Sequence, residues 1–227
     1  MQAIFETIFH ICYLTTVITL GYKMYQNKMQ NQYFKGYGIM AMVLGFGDAF
    51  HLIPRIYALW TTGLEANYVA LGFGKFITSI TMTFFYLIFY KLFKMKAKQT
   101  LSSGIDFVIY GMAFLRILIS LFPQNGWLTS EPSFVWGIYR NIPFTIMGIV
   151  LIWLLYREGK IQKKKNYKTL SICVFLSFLF YIPVVLYSRA IPQVGMLMVP
   201  KTIAYVYIVY IGYRQMKCKN LTMSPLK

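Results

Sequence analysis

The stretch KTLSICVFLSFLFYIPVVLYSR, residues 168–189, decides the fold class. Between Lys168 and Arg189 it contains no acidic or basic residue. A helix rises 1.5 Å per residue, so about 20 apolar residues cross the ~30 Å of hydrocarbon in a bilayer. Polar and apolar residues do not alternate along it, as they would in a strand with one wet face. In lipid, backbone N–H and C=O groups need internal partners, which a helix provides within one segment. Residues 168–189 therefore read as a transmembrane helix. Six further stretches read the same way: 3–23, 37–60, 67–92, 104–123, 132–156 and 195–215. The expected fold is an all-α bundle of seven transmembrane helices. The connections leave no room for a soluble domain, so residues 1–227 read as a single transmembrane domain.

The composition agrees. Of 227 residues, 58% are hydrophobic and only 13% charged, against about 25% charged in soluble domains. A disordered chain, a coiled coil and a nucleic-acid-binding domain are excluded. The net charge of +17 might suggest nucleic acid, but there is too little polar surface to carry that function. The scattered Cys12, Cys173 and Cys218 form neither a disulfide framework nor a zinc motif. The apolar run from Ala3 lacks a basic leader and a small-residue cleavage site, so it reads as a true span.

The basic residues orient the bundle. Three lie between spans 1 and 2 (Lys23, Lys28, Lys35) and four between spans 3 and 4 (Lys91, Lys94, Lys96, Lys98). Six lie between spans 5 and 6 (Arg157, Lys160, Lys163, Lys164, Lys165, Lys168), and four in the tail (Arg214, Lys217, Lys219, Lys227). The opposite side has only Arg189. Lys and Arg concentrate in cytoplasmic loops, so the expected topology is N-terminus outside and C-terminus cytoplasmic, in the cell membrane. The same residues can contact anionic membrane lipids. The glycosylation-like triplet Asn220-Leu-Thr222 then falls on the cytoplasmic side and is discounted.

Nine ionisable residues remain within spans: Glu6, His10, Asp48, His51, Arg55, Lys75, Arg116, Arg140 and Lys201. A charge at the centre of a span is unfavourable by ~2.5–3.5 kcal/mol on insertion scales. Counted from the helix ends, all nine lie in the outer half, while Asp106 sits at the inner edge of span 4 and reaches the headgroups. We expect a polar cavity open to the outer face and closed below by an apolar plug. Glu6, His10 and Tyr13 share one helix face, as do Asp48, His51 and Arg55. Arg116 with Ser120 and Lys201 with Tyr205 do the same. Kinks are expected at Pro54, Pro143, Pro183 and Pro200.

Two chemistries suggest themselves. Glu6, His10, Asp48 and His51 form candidate carboxylate–imidazole pairs, Glu6 with His10 and Asp48 with His51. They could ligate a divalent metal, act as a metal-free general acid–base site, or simply pin span 1 to span 2. Lys75 and Arg140 would repel a divalent cation, which favours the metal-free version, with no cofactor. The cations outnumber the acids, and a buried excess of positive charge calls for an anion. Lys75, Arg140, Lys201, Arg116, Arg55 and Tyr205 form the candidate ligand-binding set. Arg55 and Arg116 are the members closest to snorkelling. The expected ligand is an anionic or amphiphilic small molecule, bound for recognition or acid–base hydrolysis. The alternatives are transport and sensing.

Lys201 in the seventh helix raises retinal, but span 3 offers Lys75 where an acidic counter-ion would sit. Seven helices with an outside N-terminus also match the 3+1+3 plan of small sugar and vitamin carriers. The Pro-Gln pairs at Pro123 and Pro192 fall in outer loops, however, instead of inside spans. Gly47-Asp48, followed by an aromatic-rich span, resembles the Gly-Asp of membrane lysoplasmalogenases. The second intramembrane aspartate of that family has no counterpart in spans 5, 6 or 7, and no family is assigned.

Overall fold

A computed structural model describes residues 2–27, 31–98, 100–188 and 190–223. Lys28, Arg189 and Lys227, which enter the charge asymmetry, lie outside the described residues. Seven helices follow in order: α1 (Gln2–Tyr25), α2 (Gln32–Trp60), α3 (Tyr68–Lys94), α4 (Ser103–Leu121), α5 (Phe134–Ile161), α6 (Lys165–Tyr187) and α7 (Met198–Met223). All seven are long and apolar enough to cross a membrane. Among the described residues there is no strand. These properties are those of a multi-pass membrane protein.

Local chemistry sets the helix starts. The Asn31 side chain accepts from Tyr33 N at 3.0 Å, Ser102 from Gly104 N at 3.3 Å, and Ser133 from Trp136 N at 3.4 Å. Each satisfies an N–H that has no partner inside its helix. The α2, α5 and α7 helices run past the apolar stretches. The α2 helix begins at Gln32 instead of 37, α5 continues to Ile161 instead of 156, and α7 to Met223 instead of 215. Hydropathy marks where hydrocarbon ends, not where backbone hydrogen bonding ends. Lys35, Arg157, Lys160, Arg214, Lys217 and Lys219 therefore sit on helix ends. Pro54, Pro143 and Pro183 lie inside helices as expected. Pro200 does not kink α7, because it falls in the first turn, where its missing N–H has no intrahelical acceptor to lose.

Each helix packs on its sequence neighbours, and α7 returns to α1, closing a ring. The α3 helix also reaches α5 and carries many of the buried side chains. The α1–α2 and α2–α3 contacts depend on glycine. A Cβ on Gly38 would lie 2.6 Å from the backbone of Gly21 and Tyr25, and one on Gly74 would collide with the Phe50 carbonyl. Such close backbone approach is a usual mode of helix association in lipid, where no hydrophobic effect draws helices together. The core is rich in aromatic rings. Tyr37, Phe85, Tyr86, Phe89, Tyr90 and Phe144 are all fully buried. The outer flanks expose Phe107, Phe114 and Ile149, as a lipid-facing surface does.

Candidate functional site

The intramembrane acids choose partners other than those expected. Glu6 near the start of α1 takes the Arg55 guanidinium from α2, with Nε to Oε2 at 2.6 Å and Nη2 to Oε1 at 3.1 Å. Beside this pair, Trp60 Nε1 donates to Thr7 Oγ1 at 2.9 Å. Arg55 is therefore an ion-pair partner and does not snorkel. Asp48, further into α2, accepts from the Tyr13 hydroxyl of α1 at 2.6 Å. The Nδ1 atoms of both His10 and His51 are buried with no hydrogen-bond partner among the described residues. The two carboxylates do bridge α1 and α2, but as Glu6–Arg55 and Asp48–Tyr13, without the histidines. A guanidinium outbids a neutral imidazole for a carboxylate because it brings a full charge and two parallel donors. Among the described residues no three His, Cys, Asp or Glu side chains come together as a metal-ligand set.

The cations divide. Lys75 of α3 is itself exposed, although Leu71, Gly72, Ser79 and Met82 on the same helix face are buried, and it lies within electrostatic range of His51. Arg116 of α4 is only 3% exposed and does not reach the rim as a snorkelling side chain would. Its guanidinium carbon lies 3.4 Å from the centroid of the Phe144 ring of α5. Its Nε and Nη1 have no hydrogen-bond partner among the described residues. Lys201 of α7 is buried too, with its ammonium 4.2 Å from the Tyr181 ring centroid of α6 and 5.8 Å from that of Tyr205. Arg140 of α5 is half-buried; it donates from Nη1 to Asn125 Oδ1 at 2.9 Å and stacks 4.2 Å over the Trp127 ring. Arg116 lies within electrostatic range of Arg140 and of Lys201, and Lys201 within range of Asp48. Each of these three cations is thus covered on one side by an aromatic ring. Cation–π attraction of this kind is worth about 0.5–2 kcal/mol, less than a full counter-charge would supply.

Hydroxyl and amide groups complete the surroundings. Tyr205, 3% exposed, has its hydroxyl 3.3 Å from that of Tyr86, which in turn lies 3.5 Å from Ser177 Oγ. The Tyr181 hydroxyl donates to Asn141 Oδ1 at 2.9 Å, and Asn141 Nδ2 donates to the Gly137 carbonyl at 2.8 Å. Ser79 and Ser120 pair at 3.0 Å. Deeper along α3, Phe85 and Phe89 pack edge-on against Tyr205 and Tyr37 and form an aromatic floor. Two hollows lie elsewhere, on apolar flanks. One is lined by Ile149, Trp153 and Phe175, the other by Met42, Phe46 and Phe50.

Several residues had no signal that reading along the chain could pick up. Asn125 sits in the α4–α5 connection, yet it is completely buried. Its Nδ2 caps the Ile119 and Phe122 carbonyls at 2.7 and 2.9 Å, which aims its Oδ1 at Arg140. At the opposite end of the bundle, Glu158 is 3% exposed inside a basic run. It accepts from Lys98 N at 2.8 Å and from the Gln162 side chain. Gln162 and Tyr167 also donate to the Lys96 carbonyl, so the α3–α4 connection is held down. Asp106 accepts from Tyr90 at 2.6 Å and from Lys94 at 2.8 Å.

Comparisons with protein-family models, with curated proteins and with solved structures return no match. Any functional reading therefore rests on the chemistry of these side chains.

Proposed function

We propose that this protein binds the anionic group of a small, amphiphilic molecule among α4, α5, α6 and α7, at the N-terminal end of the bundle. The observation that carries the reading is Arg116, a buried guanidinium with two donor nitrogens unmatched among the described residues and Lys201 close enough to repel it. A buried charge without a partner is destabilising by several kcal/mol, and an incoming anion relieves it. Arg140, Lys201 and Tyr205 belong to the same pocket. Recognition is favoured over hydrolysis because Glu6 and Asp48 are already engaged by Arg55 and Tyr13. The basic asymmetry further supports a pocket that faces outward, with the N-terminus outside.

The test uses the full-length protein in nanodiscs of phosphatidylcholine, a zwitterionic lipid. Decanoate, decyl sulfate and decyl phosphate are compared with neutral decyl maltoside for stabilisation against thermal unfolding. At least one anionic amphiphile is expected to raise the unfolding temperature in a saturable way, while the neutral one does not. If none of the three anions does so, the anion-binding reading falls.

A further inference from the structure

We propose that the anion is doubly charged, namely the phosphate of a monoester. This rests on the anion-binding reading and narrows it to one ligand class. Three cations share the site: Arg116, Arg140 and Lys201. Asp48 of α2, held by Tyr13 beside the site, is the acid in electrostatic range of Lys201. Glu6 and Arg55 neutralise each other at 2.6 Å and contribute no net charge. The balance is two positive charges. A carboxylate, sulfate ester or phosphodiester, each with one negative charge, would leave one cation uncompensated in a medium where that is costly. A phosphate monoester carries close to two negative charges above its second pKa of about 6.

The donor geometry agrees. A phosphate monoester presents three terminal oxygens, and the site presents three separated donor groups. Arg116 has Nε and Nη1 unmatched among the described residues. Lys201 has its ammonium against ring faces, which accept no conventional hydrogen bond. Arg140 commits Nη1 to Asn125 and keeps further N–H groups. A carboxylate offers only two oxygens, in one plane. The aromatic rings of Phe144, Tyr181 and Trp127 each hold one side of a cation, so the donors are fixed before ligand arrives. Such preorganisation raises affinity by reducing the ordering needed on binding.

The closing experiment measures dissociation constants by calorimetry on the full-length protein in phosphatidylcholine nanodiscs at pH 8. Decyl phosphate is expected to bind at least tenfold more tightly than decyl sulfate, which has three terminal oxygens but one charge, and than decanoate. Arg116→Gln should weaken decyl phosphate at least tenfold. Asp48→Asn, in which the amide oxygen can still accept from Tyr13, should tighten it severalfold by raising the positive balance. This second variant keeps the test open if Arg116→Gln does not fold. Inorganic phosphate and methyl phosphate separate the sources. Competition at comparable affinity points to a soluble phosphate compound, and its absence points to a lipid headgroup; both support the dianion class. Equal or tighter binding of decyl sulfate or decanoate overturns the dianion while leaving the anion-binding reading intact. Unchanged or weakened binding in Asp48→Asn overturns the charge count. No binding by any anion removes both readings.

Discussion

At the scale of single residues, Arg116 is the most informative side chain in the protein. It is buried, it rests on Phe144, and its Nε and Nη1 have no hydrogen-bond partner among the described residues. Residues that serve stability do not have this profile. Replacing unsatisfied buried ionic groups with apolar residues of similar size is often neutral or stabilising by about 1–4 kcal/mol. Arg116→Leu is therefore expected to raise the unfolding temperature in detergent and to abolish stabilisation by anionic amphiphiles. A fall of more than about 2 kcal/mol in stability would mark Arg116 as a structural residue. The charges themselves were legible in the sequence, and so was their approximate depth, since both follow from counting along a helix. Their partners were not. Glu6 and His10 share a helix face, but Arg55 arrives from another helix, and which one wins depends on how α1 and α2 are rotated against each other. Counting along the chain leaves that angle free. The same blindness made Arg116 look like a snorkelling side chain.

Among the elements, the first three helices are joined differently from α4. Glycines let the α1 and α2 backbones meet, whereas Gly111 in the middle of α4 has nothing within 4 Å of where a Cβ would stand. Gly38→Ala is expected to destabilise the protein by about 1–3 kcal/mol through overpacking. Gly111→Ala should be neutral or stabilising by up to about 1 kcal/mol, because it removes a flexible residue from a helix interior. Paired denaturation curves check this contrast, and equal losses in the two variants would contradict the seam at α1–α2. The existence of all seven helices was legible from apolar length alone. Their ends were not, because α2, α5 and α7 carry lysines and arginines on helix that outruns the hydrocarbon.

For the molecule as a whole, seven crossings put the two termini at opposite ends, and the basic residues gather at the end that carries the C-terminus. Among the described residues this end holds Lys94, Lys96, Arg157, Lys160, Arg214 and Lys217. A cytoplasmic reporter fused after the last residue is expected to be active, and an exported one silent. The reverse result would invert the bundle and put the cation site on the cytoplasmic side. The ring closure of α7 on α1 was beyond the reach of hydropathy, which gives spans in order but not the shape they enclose.

The neighbours of Arg116 also bear on how the chain is made. Phe144, Tyr181, Lys201 and Tyr205 all come after α4 in the sequence, on helices that leave the ribosome later. When α4 first reaches the insertion machinery, its arginine has Tyr86 of α3 within range but not the Phe144 ring that later covers it. A lone arginine near the middle of a span lowers insertion by ~2.5–3.5 kcal/mol. The α4 helix should therefore linger at the protein-conducting channel until its successors arrive. Nascent chains truncated at residue 130 are expected to leave α4 poorly integrated, and Arg116→Leu should restore integration. The residue proposed to bind an anion is thus expected to make its own helix the slow step of biogenesis.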